Sequence, residues 1–249
     1  MNRGRLLPAL LLLACLSIRA RAAGADGAEW KSDAHCTFYT GTTDVSGGYA
    51  GNCGYGDLSR PLGDAPPYGP LFFAGSPLLY GGGAGCGSCY EVRCANHDAC
   101  NGRSVVVTMT DFCPTEGNLP WCAPDRIHFD LSGYAMAQIV KDVAVGTTPL
   151  EYRRVDCPRE GPAVVGVVGN PYWMEISVRN LARSGAYDAM RVRDAGGAWK
   201  DIKRDWGANF VVNEQLRGNI SVEISDPATG DRPGRRRSYP QRPHRTRLS

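Results

Sequence analysis

The chain has 249 residues, room for one large domain or two small ones, and a formal charge of +3. That charge is unevenly placed: with the four arginines of residues 1–23 and the seven arginines and one Asp of residues 227–249 set aside, 17 basic residues face 24 acidic ones. A body of about −7 carries no basic footprint for nucleic acid, so none is expected as a partner.

At the N-terminus Arg3 and Arg5 precede an apolar run over residues 6–18, interrupted by Pro8 and Ser17, and Ala20, Ala22 and Ala23 follow. This is the pattern of an export signal over residues 1–23, and the run is too short to span a bilayer. A secreted, extracellular protein without an integral membrane segment is expected. Of ten cysteines, Cys15 lies in that segment; the others are Cys36, Cys53, Cys86, Cys89, Cys94, Cys100, Cys113, Cys122 and Cys157. In an oxidising compartment such a cluster reads as disulfides with one thiol left over. Zinc is the rival, suggested by Cys86-x-x-Cys89 and Cys94. Strand-like Tyr90-Glu91-Val92 stands where a zinc knuckle would be needed, so no metal is expected.

Residues 32–157 hold all the cysteines after the signal, and none follows, which divides the chain into a first domain (32–157) and a second (158–226). In the first, Gly47-Gly48, Gly54-Tyr55-Gly56 and Gly81-Gly82-Gly83 mark turns between brief strands, with strands predicted over 88–93, 104–110 and 150–155. One helix is predicted over 132–140, capped by Asp130 or Ser132. The pattern fits a disulfide-stapled β-barrel. In the second domain, strands over 163–168, 172–180, 189–194, 210–212 and 220–224 suggest a small antiparallel sandwich. Without a cysteine and close to the marginal size for a core, it is expected to lean on its neighbour. Residues 227–249, with seven arginines and four prolines, read as a disordered tail. Asn219-Ile220-Ser221 has the pattern of a glycosylation acceptor.

Two carboxylates end strand-like stretches, Asp111 after residues 105–110 and Asp130 after Ile127-His128-Phe129. Polysaccharide hydrolysis uses such a pair, one as acid and one to activate water, but Asp130 could equally be a helix N-cap. His128 shares a face with Asp130, with Phe129 behind, and reads as a neutral structural histidine before a proton shuttle. Thr37 and Tyr39 point the same way on a short run that could line a groove or merely pack. In the second domain Tyr172, Met174, Ile176 and Val178 share one face and Trp173, Glu175, Ser177 and Arg179 the other. Tyr172, Trp173, Trp199, Trp206 and Phe210 could form an aromatic face for sugar rings, or fill a small core.

Thr37-Phe38-Tyr39, Cys53-Gly54-Tyr55-Gly56, the run from Gly85 through Cys86-Gly87-Ser88-Cys89-Tyr90 to Cys94, His128-Phe129-Asp130-Leu131-Ser132-Gly133 and Tyr152-Arg153-Arg154-Val155 together resemble expansins. The phrasing of Cys-Gly-Ser-Cys-Tyr and His-Phe-Asp-Leu-Ser-Gly looks most like the β-expansin branch. The resemblance covers about residues 30–225. It implies a mainly β protein: a disulfide-stapled six-stranded double-psi β-barrel followed by an immunoglobulin-like β-sandwich that binds polysaccharide. It also implies the pairs Cys53–Cys86, Cys89–Cys157, Cys94–Cys100 and Cys113–Cys122, leaving Cys36 as a free thiol or an intermolecular bridge.

The implied function is non-hydrolytic loosening and extension of plant cell walls, by disrupting contacts between cellulose and matrix glucans or xylans. The protein would be secreted to the wall, with peripheral membrane association left open, and monomeric, with no cofactor. The groove would hold Thr37, Tyr39, Asp44, Asp111, His128 and Asp130. Related inverting endoglucanases place a catalytic Asp two positions after the tyrosine, where this chain has Gly41, so Asp130 would be a vestigial acid without its base. The rivals are an endoglucanase using Asp111 or Asp44, and a carbohydrate-binding or defence module without loosening activity. Three features depart from the family pattern: the turn at residues 183–188, Phe210 in place of a tryptophan, and the chain after Asp226, which bears no likeness to the family's final strand and would leave the sandwich edge unpaired if that strand were missing.

Overall fold

The computed structural model of the chain describes residues 28–61 and 68–226, and the backbone of residues 236–240. The export segment expected over 1–23 lies outside the described residues.

The first half closes into a barrel. Its strands are β1 (Lys31–Phe38), β2 (Phe72–Gly75), β3 (Cys89–Cys94), β4 (Ser104–Phe112), β5 (Ile127–Leu131) and β6 (Thr148–Val155), in the order β1-β5-β2-β4-β3-β6 with β6 returning to β1. β1 runs parallel to β5, and β2 parallel to β4, so the chain crosses itself twice to close the wall. Alternation fills the interior: Phe73, Val92, Met109, Phe129, Leu131 and Leu150 are all buried in one cluster. A short helix α1 (Pro77–Tyr80) follows β2, and α2 (Gly133–Ile139) seals one side with Ala135, Met136 and Ile139. Of the two caps the sequence left open for α2, Ser132 is the one used: its Oγ accepts from Ala135 N at 3.1 Å.

Four disulfides join Cys53–Cys86, Cys89–Cys157, Cys94–Cys100 and Cys113–Cys122. Cys36 is unpaired on β1, wholly buried between Met136 and Thr148. Burial pushes its thiol up to about 11. The intermolecular bridge offered as one fate for Cys36 is therefore corrected: no second chain can reach that sulfur.

The second half is one curled sheet, β7 (Val164–Asn170), β8 (Trp173–Arg179), β9 (Ala189–Arg193), β10 (Lys200–Trp206), β11 (Asn209–Val212), β12 (Ser221–Ser225) and β13 (Arg236–Pro240), in the order β13-β12-β9-β10-β11-β8-β7. β10 makes the curl: its residues 200–202 pair with β9, and residues 203–206 pair with β11 across a register shift. The two halves of the sheet thus face each other over Met174, Ile176, Val178, Met190, Val192, Val222 and Ile224. Tyr187 ties the centre, accepting from Val178 N at 2.9 Å and donating to Ala208 O. Residues 236–240, inside the stretch read as a disordered tail, form strand β13, and their pairing with β12 covers the edge that would be open if a last strand were missing. Asn219 is exposed in the turn before β12.

The second core leans on the first. Val45, Cys53, Tyr55, Leu58, Phe72 and Cys86 belong to the same cluster as the sheet's interior. Backbones meet at glycines: a Cβ on Gly87 would strike Gly185 O, and one on Gly207 would strike Asn52 O. Arg204 donates to Gly83 O at 3.1 Å and Tyr187 O at 2.6 Å, and Arg179 donates to Tyr55 O at 3.1 Å.

Candidate functional site: a groove and its aromatic extension

The pairing of strands sets four residues in one rung on the outside of the barrel. Thr37 on β1 lies opposite Asp130 on β5, Asp130 opposite Ala74 on β2, and Ala74 opposite Asp111 on β4. The two carboxylates are therefore two strands apart, about 10 Å between backbones. Phe129 and Leu131 point inward, which turns His128 and Asp130 out to the same face, the placement their spacing implies.

Thr37 links the group. Its hydroxyl donates to Asp130 Oδ1 at 2.7 Å and lies 2.8 Å from His128 Nε2. With its one proton given to Asp130, Thr37 accepts from His128, which puts the imidazole proton on Nε2. Burial pushes the Asp130 carboxyl up to about 6; the Thr37 bond opposes this and the Asp111 charge adds to it. Burial, and then the charges of His35 and Arg126, hold His128 down to about 4, so it is neutral in mild acid. Asp111 accepts from Asn52 N at 2.6 Å and Phe112 N at 2.8 Å, yet burial raises its carboxyl above the ordinary value. Tyr39 completes the floor. Its hydroxyl is buried without a hydrogen-bond partner, and burial, Asp111 and Asp130 all push it above the usual phenol range.

Asp44 stands apart. It is exposed in the loop after Gly41, its Oδ1 accepts from Ser46 N at 3.0 Å, and the Ser46 side chain first, then this N–H, hold its carboxyl below the usual range. Gly41 is hemmed in: a Cβ there would lie 2.6 Å from Asp44 O. Neither position sets a carboxylate against Asp130. Among the described residues no cluster of His, Cys, Asp and Glu could hold a metal.

The five predicted aromatics of the second domain separate. Trp173 and Trp206 are 40% and 45% exposed, and Glu175 joins them on the outer face, accepting from Trp206 Nε1 at 2.8 Å. Tyr172 is exposed just before β8. Trp199 lies at the other end of β10, about 20 Å away along the strand, against Arg191 and Arg193. Phe210 is a correction: it is buried in the core against Tyr187 and Arg204, because its register opposite Ile176 turns it inward.

Trp206 rests on Gly54, where a Cβ would lie 2.8 Å from its ring. Two residues earlier, Asn52 donates its N–H to Asp111. The stretch from Asn52 to Gly54 therefore joins groove and aromatics into one track, Asp130, Asp111, Trp206, Trp173. Asn52, which donates to Asp111, and Trp121, which with Tyr39 packs against the cluster of Ala74, Cys113 and Cys122, adjoin the candidate groove residues and were not named from the sequence. A tryptophan next to a cysteine in the loop after Asp111 was the signal available for the second.

A family model described as "Lytic transglycolase" matches residues 73–152, and one described as "Expansin C-terminal domain" matches residues 164–232. The chain is 40% identical over 198 residues to rice Expansin-A32, covering 76% of this chain and 71% of that protein. It is 35% identical over 207 residues to Expansin-A7 of Arabidopsis thaliana, covering 80% and 76%. These relatives carry expansin-A names, so they lend no support to the β-branch likeness. A solved structure, a point mutant of Clavibacter michiganensis expansin in complex with cellohexaose, aligns with a TM-score of 0.61 at 21% identity over 83% of this chain and 88% of that one.

Proposed function

The chain belongs to the expansin family, and on that premise we propose that it loosens plant cell walls by gripping their glucans along the track from Asp130 to Trp173, without cutting them. The observation that carries this reading is the continuity of that track. Polar groups that hydrogen-bond sugar hydroxyls occupy one end and flat exposed aromatics that cover sugar faces occupy the other, across Asn52–Gly54.

A chain laid along it exchanges contacts with neighbouring wall polymers for contacts with the protein, and the polymers slip under tension. Asp130, with its carboxyl near 6, is protonated in an acidic wall and donates a hydrogen bond to a sugar oxygen; ionised, it only accepts. Hydrolysis with inversion asks in addition for a carboxylate that activates water across the sugar. At position 41 there is glycine, Asp44 is spent on its own loop, and Asp111 is engaged by two backbone N–H groups. Cellulose, xylan and matrix glucans are the partners this reading gives it, in the cell wall.

The test runs creep of heat-killed wall strips beside reducing-end release from soluble glucan. Extension without new chain ends is expected, stronger below pH 6 than above it. New ends in proportion to extension would refute the reading, and binding to cellulose or xylan without creep would reduce the protein to a binding module.

A further inference from the structure

The connection between β4 and β5 is held more firmly than closing the barrel requires. A disulfide joins Cys113 to Cys122, Thr115 Oγ1 donates to Cys122 O at 2.9 Å, Asn118 Nδ2 donates to Pro114 O at 3.0 Å, and Cys122 N donates to Asn118 O at 3.0 Å. Gly117 supplies the left-handed turn at φ +78°. A compact loop fixed by its own bonds is a mount for a side chain, because little ordering entropy remains to be lost on binding.

The side chain it mounts is Trp121. The indole stacks on His128, with ring centroids 5.8 Å apart and planes 27° from parallel, and meets His35 at 6.2 Å. His35 and His128 are opposite each other on β1 and β5, one same-face step from Thr37 and Asp130 and so about 7 Å away. With Tyr39, Trp121 also packs against the small cluster of Ala74, Cys113 and Cys122, of which Ala74 lies between the two carboxylates in their rung. The ring is only partly buried there. It lies beside the rung that holds both carboxylates, at the level of His35 and His128.

We infer that Trp121 is a specificity-determining residue, stacking on the sugar ring beside the one that Asp130 holds. The ligand class is a β-linked glucan with flat ring faces, and the inference rests on the polysaccharide reading of the groove. A bound chain then meets aromatics on both halves of the molecule, Trp121 on the barrel and Trp206 with Trp173 on the sheet, beside the carboxylates.

Calorimetric titration with cellohexaose tests this on the full chain. Trp121→Ala should weaken binding by between about two- and tenfold, the range for one stacked aromatic, and Trp121→Phe should restore most of it. Removing the loop's tether with Cys113→Ser and Cys122→Ser together should mimic Trp121→Ala. If Trp121→Ala does not fold, the wild-type indole N–H resonance, identified by its loss in Trp121→Phe, reports directly and should shift as cellohexaose is added. No binding by the wild type overturns this inference and the functional reading together. Weakening by Asp130→Asn alone, with Trp121→Ala at wild-type affinity or the indole signal unmoved, overturns this inference and leaves that reading standing.

Discussion

Replacing Asp130 with Asn and, separately, His128 with Gln should tilt the pH dependence of stability in opposite directions. Both side chains contact Thr37, and both titrate far from their ordinary values, Asp130 raised from 3.8 to about 6 and His128 lowered from 6.5 to about 4. Each displacement is worth about 3 kcal/mol. The raised carboxyl binds its proton more tightly in the folded chain, so its contribution is present in acid and is lost as pH rises from about 4 to about 6. The depressed imidazole refuses in the folded state a proton that the unfolded chain accepts near 6.5. Its contribution is complete above that pH and is lost as pH falls towards 4. Between about 4 and 6 the folded chain therefore carries a proton on Asp130 and the unfolded chain carries one on His128. The two slopes cancel, and the groove contributes little pH dependence in the acid range where it would work. Asp130→Asn keeps the Thr37 bond and exposes the histidine slope: stability should fall by about 3 kcal/mol between pH 6.5 and 4. His128→Gln keeps an N–H for Thr37 and exposes the carboxyl slope: stability should rise by a similar amount between pH 6 and 4. For a chain of this size each change is about 6–12 °C in melting temperature. Calorimetric melting at half-unit steps from pH 4 to 7 reads both, and curves for the two variants running parallel to wild type would refute the coupling.

In the chain lacking residues 1–23, and so Cys15, thiol titration should find no reactive sulfur in the folded protein at pH 8 and one per chain in denaturant, since Cys36 is buried with its thiol near 11; two or none on unfolding would contradict the disulfide set. Gly41→Asp should not create a hydrolase: its Cβ collides with Asp44 O, so a loss of about 1–3 kcal/mol and no reducing ends are expected, and measurable glucan cleavage would show that a missing base was the whole difference. Arg204→Met should lower stability by about 2–4 kcal/mol, because the Gly83, Gly207 and Tyr187 carbonyls lose their donor, and it should loosen the two halves of the track; unchanged melting and unchanged affinity for long glucans would argue that the junction is incidental.

Local pattern carried the sequence reading where one strand face is buried and the other is not. β6 alternates plainly and β8 does over its first half, and the outward turn of His128 and Asp130 followed from Phe129 between them. β10 went unread because Lys200–Trp206 is mostly charged; only Ile202 and Arg204 among its residues are less than exposed, and pairing on both sides holds it as a strand. β1 hides in the same way behind Lys31, Ser32 and Asp33. Phe210 and Trp206 look alike as candidates for a binding face, yet one is core and the other surface, and the register shift in β10 that separates them has no local signature. Trp121 reaches the groove through a long-range stack on His128, which spacing along the chain cannot supply.

A protein that loosens without cutting has to hold a polymer against the pull of its neighbours, and this makes the junction between the two halves as important as either surface. If barrel and sheet could hinge, a chain stacked on Trp206 and Trp173 would simply carry the sheet away from Asp130 and Asp111 when the wall is pulled. The junction resists this with elements that do not depend on long flexible side chains. Backbone meets backbone at Gly87 and Gly185 and at Asn52 and Gly207, the Cys53–Cys86 and Cys89–Cys157 bridges brace the barrel side, and one apolar cluster runs through both halves. Arg204 and Arg179 then satisfy carbonyls that such close approach would leave buried and unpaired. Asn52 and Gly54 sit in this same stretch, one donating to Asp111 and the other bearing Trp206. The residues that lock the halves together are thus the residues that join the two parts of the track, so tension on a bound glucan is borne by the packed junction while its sugar rings stay in register with the groove.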